Sequence, residues 1–466
     1  MIPEEPNFLL DLIRPGSMVM QRIMLIKAIS LAAFIIFSPT QMIIAQTDSV
    51  DDEIKSILQD RIDHAKQSVG MVVGLIDEDR TRIVSYGKAS KDSARMVDGD
   101  SVFEIGSVSK VFTAILLADM VERGEVSLND PISKYLPKSV KTPSRNGKEI
   151  TLLHLTTHTS GLPFLPSNFR LKNEQKSYAD YTVKQMYSFL SRYQLQRDIG
   201  AKAEYSNFGV ALLGHILALR AGMNYETLVR TRICEPLKMG NTGVKFTKQM
   251  LAHLAKGHDS ALNPVANWDL PTFAGAGGLR STAKDLLQFV AANLGLVSSP
   301  LFTAMQKTHQ PRYPYPAGEP DEEVGLGWFI QKRFGTEIWY HIGWTGGYYT
   351  YVAFNKKKRR GVVILSNSEN EIFDIGIYLL GRKFLLPITL DPKIFDAYVG
   401  EYQPKVNPGF LFKFSREGAK FFVEMTRQGK FEIFASAENV IFLRSQKGQV
   451  TFTFINEIVF FLRLCA

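Results

Sequence analysis

Two periods of apolar residues alternate along most of the chain. Residues 69–76 form an apolar, β-branched run, followed by the turn-forming Asp77-Glu78-Asp79-Arg80 and a second strand-like piece over 81–86. At Val108 the period changes. Val108, Val111, Phe112, Ile115, Leu116 and Met120 recur every three to four residues and predict a helix over 108–123, which Gly124 ends. Further helices are expected over 182–193 and 208–221, after a polar, Pro-containing loop over 160–178. Residues 349–354 and 361–366 read as a hairpin, and 373–384 as a closing helix. Beyond Pro387 the helical period disappears. Pro387, Pro392, Pro404 and Pro408 punctuate the chain, and short aromatic-rich segments follow at 410–415, 420–425, 430–435, 440–444, 450–455 and 458–462. Turns at Glu417-Gly418, Gln428-Gly429 and Lys447-Gly448 separate them, which predicts an antiparallel meander or small barrel as a separate domain.

The N-terminus carries a different pattern. Residues 1–17, with Glu4, Glu5, Asp11 and Arg14, fit neither a core segment nor a targeting signal. Then Arg22 and Lys27 precede an apolar run over 28–37, Pro39, and Ile43-Ile44-Ala45 ahead of polar Gln46-Thr47-Asp48. A basic stretch, a short apolar stretch and a small residue make a secretory signal, with cleavage near Ala45 and translation starting at Met18 or Met20. A spanning helix needs about 20 apolar residues, more than this run holds. The expectation is an exported protein, periplasmic or extracellular, with membrane association only if the segment stays uncleaved.

Composition narrows the classes. The 466 residues are 45% hydrophobic and 22% charged, ordinary for globular domains. A net charge of +9 raises the question of nucleic acid, but the excess is scattered and its one dense run, 356–360, sits between two strand-like segments. A solvated hairpin tip is the better reading, and no nucleic-acid partner is expected. Two cysteines, Cys234 and Cys465, exclude a disulfide scaffold and a Cys-rich metal site. His154 and His158 are four apart but lack the Glu of HExxH, so they read as a structural pair and no metal is expected. Gly275-Ala276-Gly277-Gly278 does not fit a dinucleotide fingerprint and reads as shaping a cleft. No G-x-S-x-G elbow occurs, which excludes an α/β-hydrolase.

Three short elements carry candidate chemistry. The first is FEIGSVSK, residues 103–110, in which Ser107 and Lys110 stand three apart at the start of a helix. That spacing puts the amine one turn on, on the same face as the hydroxyl. A serine hydroxyl is a weak nucleophile that needs an adjacent base, and a helix N-terminus offers N–H groups to a developing oxyanion. Taken alone, a capping Ser and a solvated Lys explain the same residues. The second is Tyr205-Ser206-Asn207, before an apolar helix. Tyr205 serves as a general base if neighbouring cations lower its pKa, and Asn207 orients the Lys or a substrate carbonyl. The third, residues 339–347, reads as the end of a strand rich in Gly, where a ligand or another backbone comes close. Of its aromatics, Trp344, Tyr348 and Tyr349 suit a substrate wall and buried packing equally.

In this order and at these separations, the three elements resemble the serine β-lactamase and penicillin-binding-protein superfamily, whose members carry Ser-x-x-Lys. FEIGSVSK resembles the class C signature at every position, and Tyr205-x-Asn207 matches the class C second motif. His341-Ile342-Gly343 occupies the place of Lys-Thr-Gly. Connecting text agrees: LLHLTTHTSGLP at 152–163, EPLKM at 235–239 and GGLRST at 277–282. The stretch from Ala397 onward resembles the lipocalin-like β domain appended to many members. The resemblance implies an α+β fold, an antiparallel sheet flanked by helices with a helical subdomain, and a small all-β domain after it. It divides the chain into a signal region over 1–45, a hydrolase domain over 46–386 and a β domain over 393–466.

As to function, the resemblance implies a serine hydrolase of class C β-lactamase type, with Ser107 as nucleophile and Lys110 and Tyr205 moving the proton. The N–H groups of Ser107 and Trp344 would hold the oxyanion, with Asn207, His341, Gly343 and Trp344 at the substrate and no cofactor or metal. The acyl group stays open. A β-lactam, a peptidoglycan-derived D-Ala-D-Ala peptide, a D-amino-acid amide and a simple ester share acyl-serine chemistry, so the alternatives are a D-Ala-D-Ala carboxypeptidase or a carboxylesterase. A non-catalytic binder or sensor is the remaining alternative. His341 is the main departure, since an imidazole, mostly neutral at pH 7, holds a carboxylate less firmly than an ammonium.

Overall fold

A computed structural model describes residues 9–10, 12–13, 50–78, 80–169, 178–316, 321–333, 336–381, 391–404, 411–426, 429–437, 440–443, 449–451 and 462–463. The signal-like segment over 18–45 and Cys465 lie outside them. The chain divides into two compact units, Phe37–Arg382 and the combination of Met1–Ile36 with Lys383–Ala466.

The larger unit is built on an eight-stranded antiparallel sheet. Its strands are β1 (Gly70–Ile76), β2 (Thr81–Gly87), β5 (Tyr313–Pro314), β6 (Glu322–Val324), β7 (Phe329–Arg333), β8 (Thr336–Thr345), β9 (Tyr348–Asn355) and β10 (Arg360–Ser366), in the spatial order β2-β1-β10-β9-β8-β7-β6-β5. A small ladder pairs β3 (Val102–Glu104) with β4 (Arg280–Thr282). The fully apolar β1 and the β9–β10 hairpin are buried along nearly their whole length. That is the burial expected where a sheet is covered on both faces.

Helix α1 (Ser109–Glu122) is buried on every side from Ser109 to Met120, so its apolar stripe widens into a core helix. Phe112 stacks on Phe289 of α4 (Ala283–Leu294), ring centroids 4.3 Å apart. Such side chains contribute roughly 1.5–3 kcal/mol each when fully buried. α4 lies against the sheet because β1 and β10 carry glycine beneath it. A Cβ at Gly74 would stand 2.7 Å from Leu287, and one at Gly361 would run into Val290. Between these elements sits the helical part. It holds α2 (Val183–Arg192), capped reciprocally by Thr182 and Gln185, and α3 (Asn207–Ala221), capped by Ser206 and ended by Gly222 in the left-handed region at φ 67°. α5 (Phe373–Leu379) closes the unit, shorter than the expected 373–384.

The basic run is the tip of the β9–β10 hairpin, as expected. Arg359 pairs with Glu78, Arg360 lies 3.8 Å from Asp77, and the Lys356 ammonium stands over the Trp339 ring at 4.6 Å. Cys234 is a buried free thiol, pushed up to about 12 by burial and neighbouring acids. Among the described residues no helix is long and apolar enough to cross a membrane.

The smaller unit is an antiparallel meander, consecutive strands Gly400–Pro404, Phe412–Glu417, Lys420–Met425, Gly429–Ala437, Val440–Leu443 and Gln449–Thr451 pairing in sequence order. Alternation buries Phe412 and Phe414 on one face, where they join Tyr402, Phe421, Val423 and Ile433. Of the expected strand at 458–462, only Leu462 falls within the described residues. One pairing was not expected from sequence: Leu12–Ile13 adds to the Gly400–Pro404 edge.

Candidate active site

Ser107 does not begin the α-helix itself. It occupies a single 3₁₀ turn, Gly106–Val108, that leads into α1. Gly106 takes φ +48° to make that turn, and a Cβ there would stand 2.7 Å from the backbone N of Trp344. A Cβ at Gly343 would collide with the Ile105 carbonyl oxygen. Two glycines, one on each partner, thus let β8 lie directly on the nucleophile turn. This is the close backbone approach that the glycine-rich sequence predicts, and it brings the Ser107 and Trp344 backbones to one wall.

β8 is also half free where it matters. It pairs with β7 only over Thr336–Tyr340, while His341–Thr345 pairs with β9 alone. The opposite edge of that stretch faces a cleft of about 410 Å³, lined among others by Ser107, Tyr205, Asn207, Trp268, His341 and Trp344. Trp344 is 50% exposed at this wall, whereas Tyr348 and Tyr349 are buried packing residues.

The Lys110 ammonium nitrogen lies 2.8 Å from Ser107 Oγ and donates to the Ala276 carbonyl at 2.6 Å. Lys110 is 1% exposed, and that burial holds its pKa well below the ordinary lysine value. The Ala276 carbonyl belongs to the Gly275–Gly278 stretch, so this run does shape the cleft. Tyr205 presents its ring face to Lys110, 4.8 Å from Nζ to the centroid. Burial raises the Tyr205 pKa, and a hydrogen bond with Ser107 opposes the rise only in part. A lowered Tyr205 pKa, the condition attached to its base role from sequence, is therefore not met, because burial outweighs the opposing hydrogen bond.

Asn207 opens α3 and its amide oxygen, buried against the cleft, has no hydrogen-bond partner among the described residues. His341 is buried, its Nδ1 2.7 Å from the Ile342 carbonyl oxygen, which assigns the proton to Nδ1 and leaves Nε2 an acceptor. Nε2 has no partner among the described residues. Burial, helped by nearby Lys110, lowers the His341 pKa to about 3. Its imidazole is neutral at any working pH.

His154 and His158 do not share a helix face. His154 completes the cap of a short helix, Leu152–Thr156, through Thr151. His158 lies past its end at φ +60° and accepts from the Ser206 N–H through Nδ1 at 3.2 Å, its ring 4.6 Å from that of Tyr205. It is a prop for the Tyr205 loop, a role the LLHLTTHTSGLP text contained and spacing did not reveal. Glu104 is a second prop. Buried, it accepts from the Trp268 N–H at 2.8 Å and from Asn267 at 3.1 Å, with Arg280 3.4 Å away, and so fixes the Trp268 wall. Glu322 on β6 is a further cleft residue that carried no sequence signal, and Tyr340, inside the 339–347 element but given no role there, donates its hydroxyl to it.

A Ser–Lys–Tyr cluster at a cleft between an antiparallel sheet and a helical region defines a class of hydrolase, and comparison with known proteins specifies it. The family model described as Beta-lactamase matches residues 54–377, and the chain belongs to that family. A β-lactamase of Pseudomonas fluorescens is 29% identical over 352 residues, 68% of this chain and 92% of its own. The D-alanyl-D-alanine-carboxypeptidase/endopeptidase AmpH of Escherichia coli is 28% identical over 398 residues, 79% and 99% respectively. Among solved structures, a β-lactamase/D-alanine carboxypeptidase from Yersinia pestis, complexed with citrate, is similar with a TM-score of 0.63 at 26% identity, covering 72% of this chain and 97% of its own. The α+β class expected from sequence holds, and the chain is a hydrolase of this family.

Proposed function

We propose that the protein is an exported serine hydrolase that cleaves an ester or amide through an acyl-Ser107 intermediate. The observation that carries this reading is the 2.8 Å contact between Lys110 Nζ and Ser107 Oγ inside a buried site. Burial depresses the Lys110 pKa and so favours the neutral amine, which takes the Ser107 proton as Oγ bonds to the substrate carbonyl carbon. The ammonium that forms is stabilised by the adjacent Tyr205 face. The carbonyl electron pair moves to oxygen, where the N–H groups of Ser107 and Trp344 receive it, each donor worth about 3 kcal/mol. Tyr205, kept protonated by burial, donates to the leaving atom and is reprotonated by Lys110. Water then repeats the sequence on the acyl-enzyme and returns the proton to Ser107.

The relatives' names support a β-lactam or D-alanyl-D-alanine acyl donor. The cleft favours a different emphasis. Its His341 is neutral, and among the described lining residues none is Lys or Arg, so a substrate carboxylate gains no cation there. We therefore favour esters and amides without a carboxylate at that position. Side-by-side kcat/KM values for a chromogenic cephalosporin, a D-alanyl-D-alanine peptide and a neutral aryl ester test this. The neutral ester should lead and Ser107→Ala should lose all three. Ester turnover surviving in Ser107→Ala overturns the nucleophile. Export rests on the segment over 18–45, and a mature N-terminus near Gln46 in the secreted fraction is its test.

A further inference from the structure

The cleft has one acidic wall. Glu322 lies on the short strand β6, between β5 and β7, is only 5% exposed, and yet lines the same cleft as Ser107. An aromatic cluster lines the same part of the cleft. The Phe329 ring is 4.8 Å from that of Tyr315, 5.8 Å from Tyr340 and 6.2 Å from Tyr205, centroid to centroid. Tyr315 is tied in place by its N–H, which donates to the Glu322 carbonyl at 2.8 Å, and the Tyr340 hydroxyl donates to the Glu322 carboxylate. A carboxylate that accepts from a phenol and shares its end of the cleft with an aromatic cluster attracts organic cations by charge and by the ring quadrupoles. It repels anions. Among the described lining residues Glu322 is the only acid, so it sets the sign of the field at that end of the cleft.

We propose that Glu322, with Tyr315, Phe329 and Tyr340, forms a subsite for an ammonium group on the substrate, making cationic esters and amides the preferred acyl donors. This rests on the acyl-Ser107 reading and names its substrate class. Glu322 would act by positioning, through the substrate's charge rather than at the reacting carbonyl.

The subsite has a pH signature. Burial raises the Glu322 pKa to about 7, the Tyr340 hydrogen bond acting the other way. Among the described residues, the groups facing it include Tyr340 from β8, Tyr315 from beyond β5 and Gln331 across the β6–β7 ladder. Both tyrosines have raised pKa values and stay neutral through this range, as does His341. Glu322 is thus charged above pH 7 and neutral below it, so preference for a permanent cation is present at pH 8 and lost toward pH 6.

The test uses the full chain and two pairs of aryl esters in which trimethylammonium replaces tert-butyl, on the acyl side in one pair and on the leaving group in the other. Wild type should favour the cation by about 10-fold in kcat/KM at pH 8 on one pair, falling toward parity at pH 6. Glu322→Gln should bring that ratio to parity and flatten it with pH, and Tyr315→Leu should lower it while keeping the pH dependence. Calorimetry of the matching trimethylammonium and tert-butyl amides on Ser107→Ala reads the subsite without turnover, and the same preference should appear there. Parity for wild type on both pairs and in calorimetry overturns the proposal, as does full preference in Glu322→Gln. Loss of turnover in wild type with the calorimetric preference intact would instead count against the acyl-Ser107 reading alone.

Discussion

At the scale of single residues, burial decides what each titratable group does. Lys110, Tyr205 and His341 meet around Ser107, and removal from water favours the neutral form of all three. Lys110 and His341 both carry a lone pair in that form, and the proposed base is Lys110 because its Nζ lies 2.8 Å from Ser107 Oγ. Lys110→Arg tests this assignment, because a guanidinium stays protonated in proteins and supplies no base. Ester kcat/KM at pH 8 should fall about 10²- to 10⁴-fold. A loss under 10-fold would assign the proton transfer elsewhere. The residue types of this centre were legible because Ser-x-x-Lys, Tyr-x-Asn and His-x-Gly are local strings. Their protonation states were not, since desolvation comes from residues far away in the chain: a sequence offers His341 an ordinary imidazole pKa, and its surroundings lower it to about 3.

At the scale of elements, the central event is the docking of β8 on the turn before α1. Glycine at 106 and 343 makes it possible, and neither position tolerates a side chain. Gly343→Ala pushes the strand off Ile105, and overpacking of this kind costs typically 1–3 kcal/mol. Thermal unfolding should shift accordingly, and kcat/KM should drop by at least about 10²-fold as the Trp344 N–H leaves the oxyanion position. Full activity in Gly343→Ala would mean that β8 does not contribute to the reaction. The elements with a strong period, β1, α1, α3 and the β9–β10 hairpin, were read within a residue or two. The strands β5, β6 and β7 at one end of the sheet were not, because they are short and interspersed with Pro314, Pro316, Gly325 and Gly327, which erase any alternation. Glu322 was missed for the same reason.

At the scale of the whole molecule, each of the two units carries a core of its own. The smaller one centres on Tyr402, Phe414 and Phe421, and the turn glycines made it visible in the sequence as a meander. A chain ending near Thr389 should therefore fold cooperatively and hydrolyse a neutral ester at a rate within a few-fold of the intact protein. Insoluble or inactive protein would show that the β domain completes the hydrolase.

Every step of the proposed reaction passes through the acyl-Ser107 intermediate. A fluorophosphonate transfers its phosphonyl group to an activated serine, and peptide mass spectrometry locates the adduct. The expected result is a single adduct on Ser107, absent from Ser107→Ala and strongly slowed in Lys110→Arg. An adduct on a different serine, or an unlabelled wild-type protein that still hydrolyses ester, would contradict it.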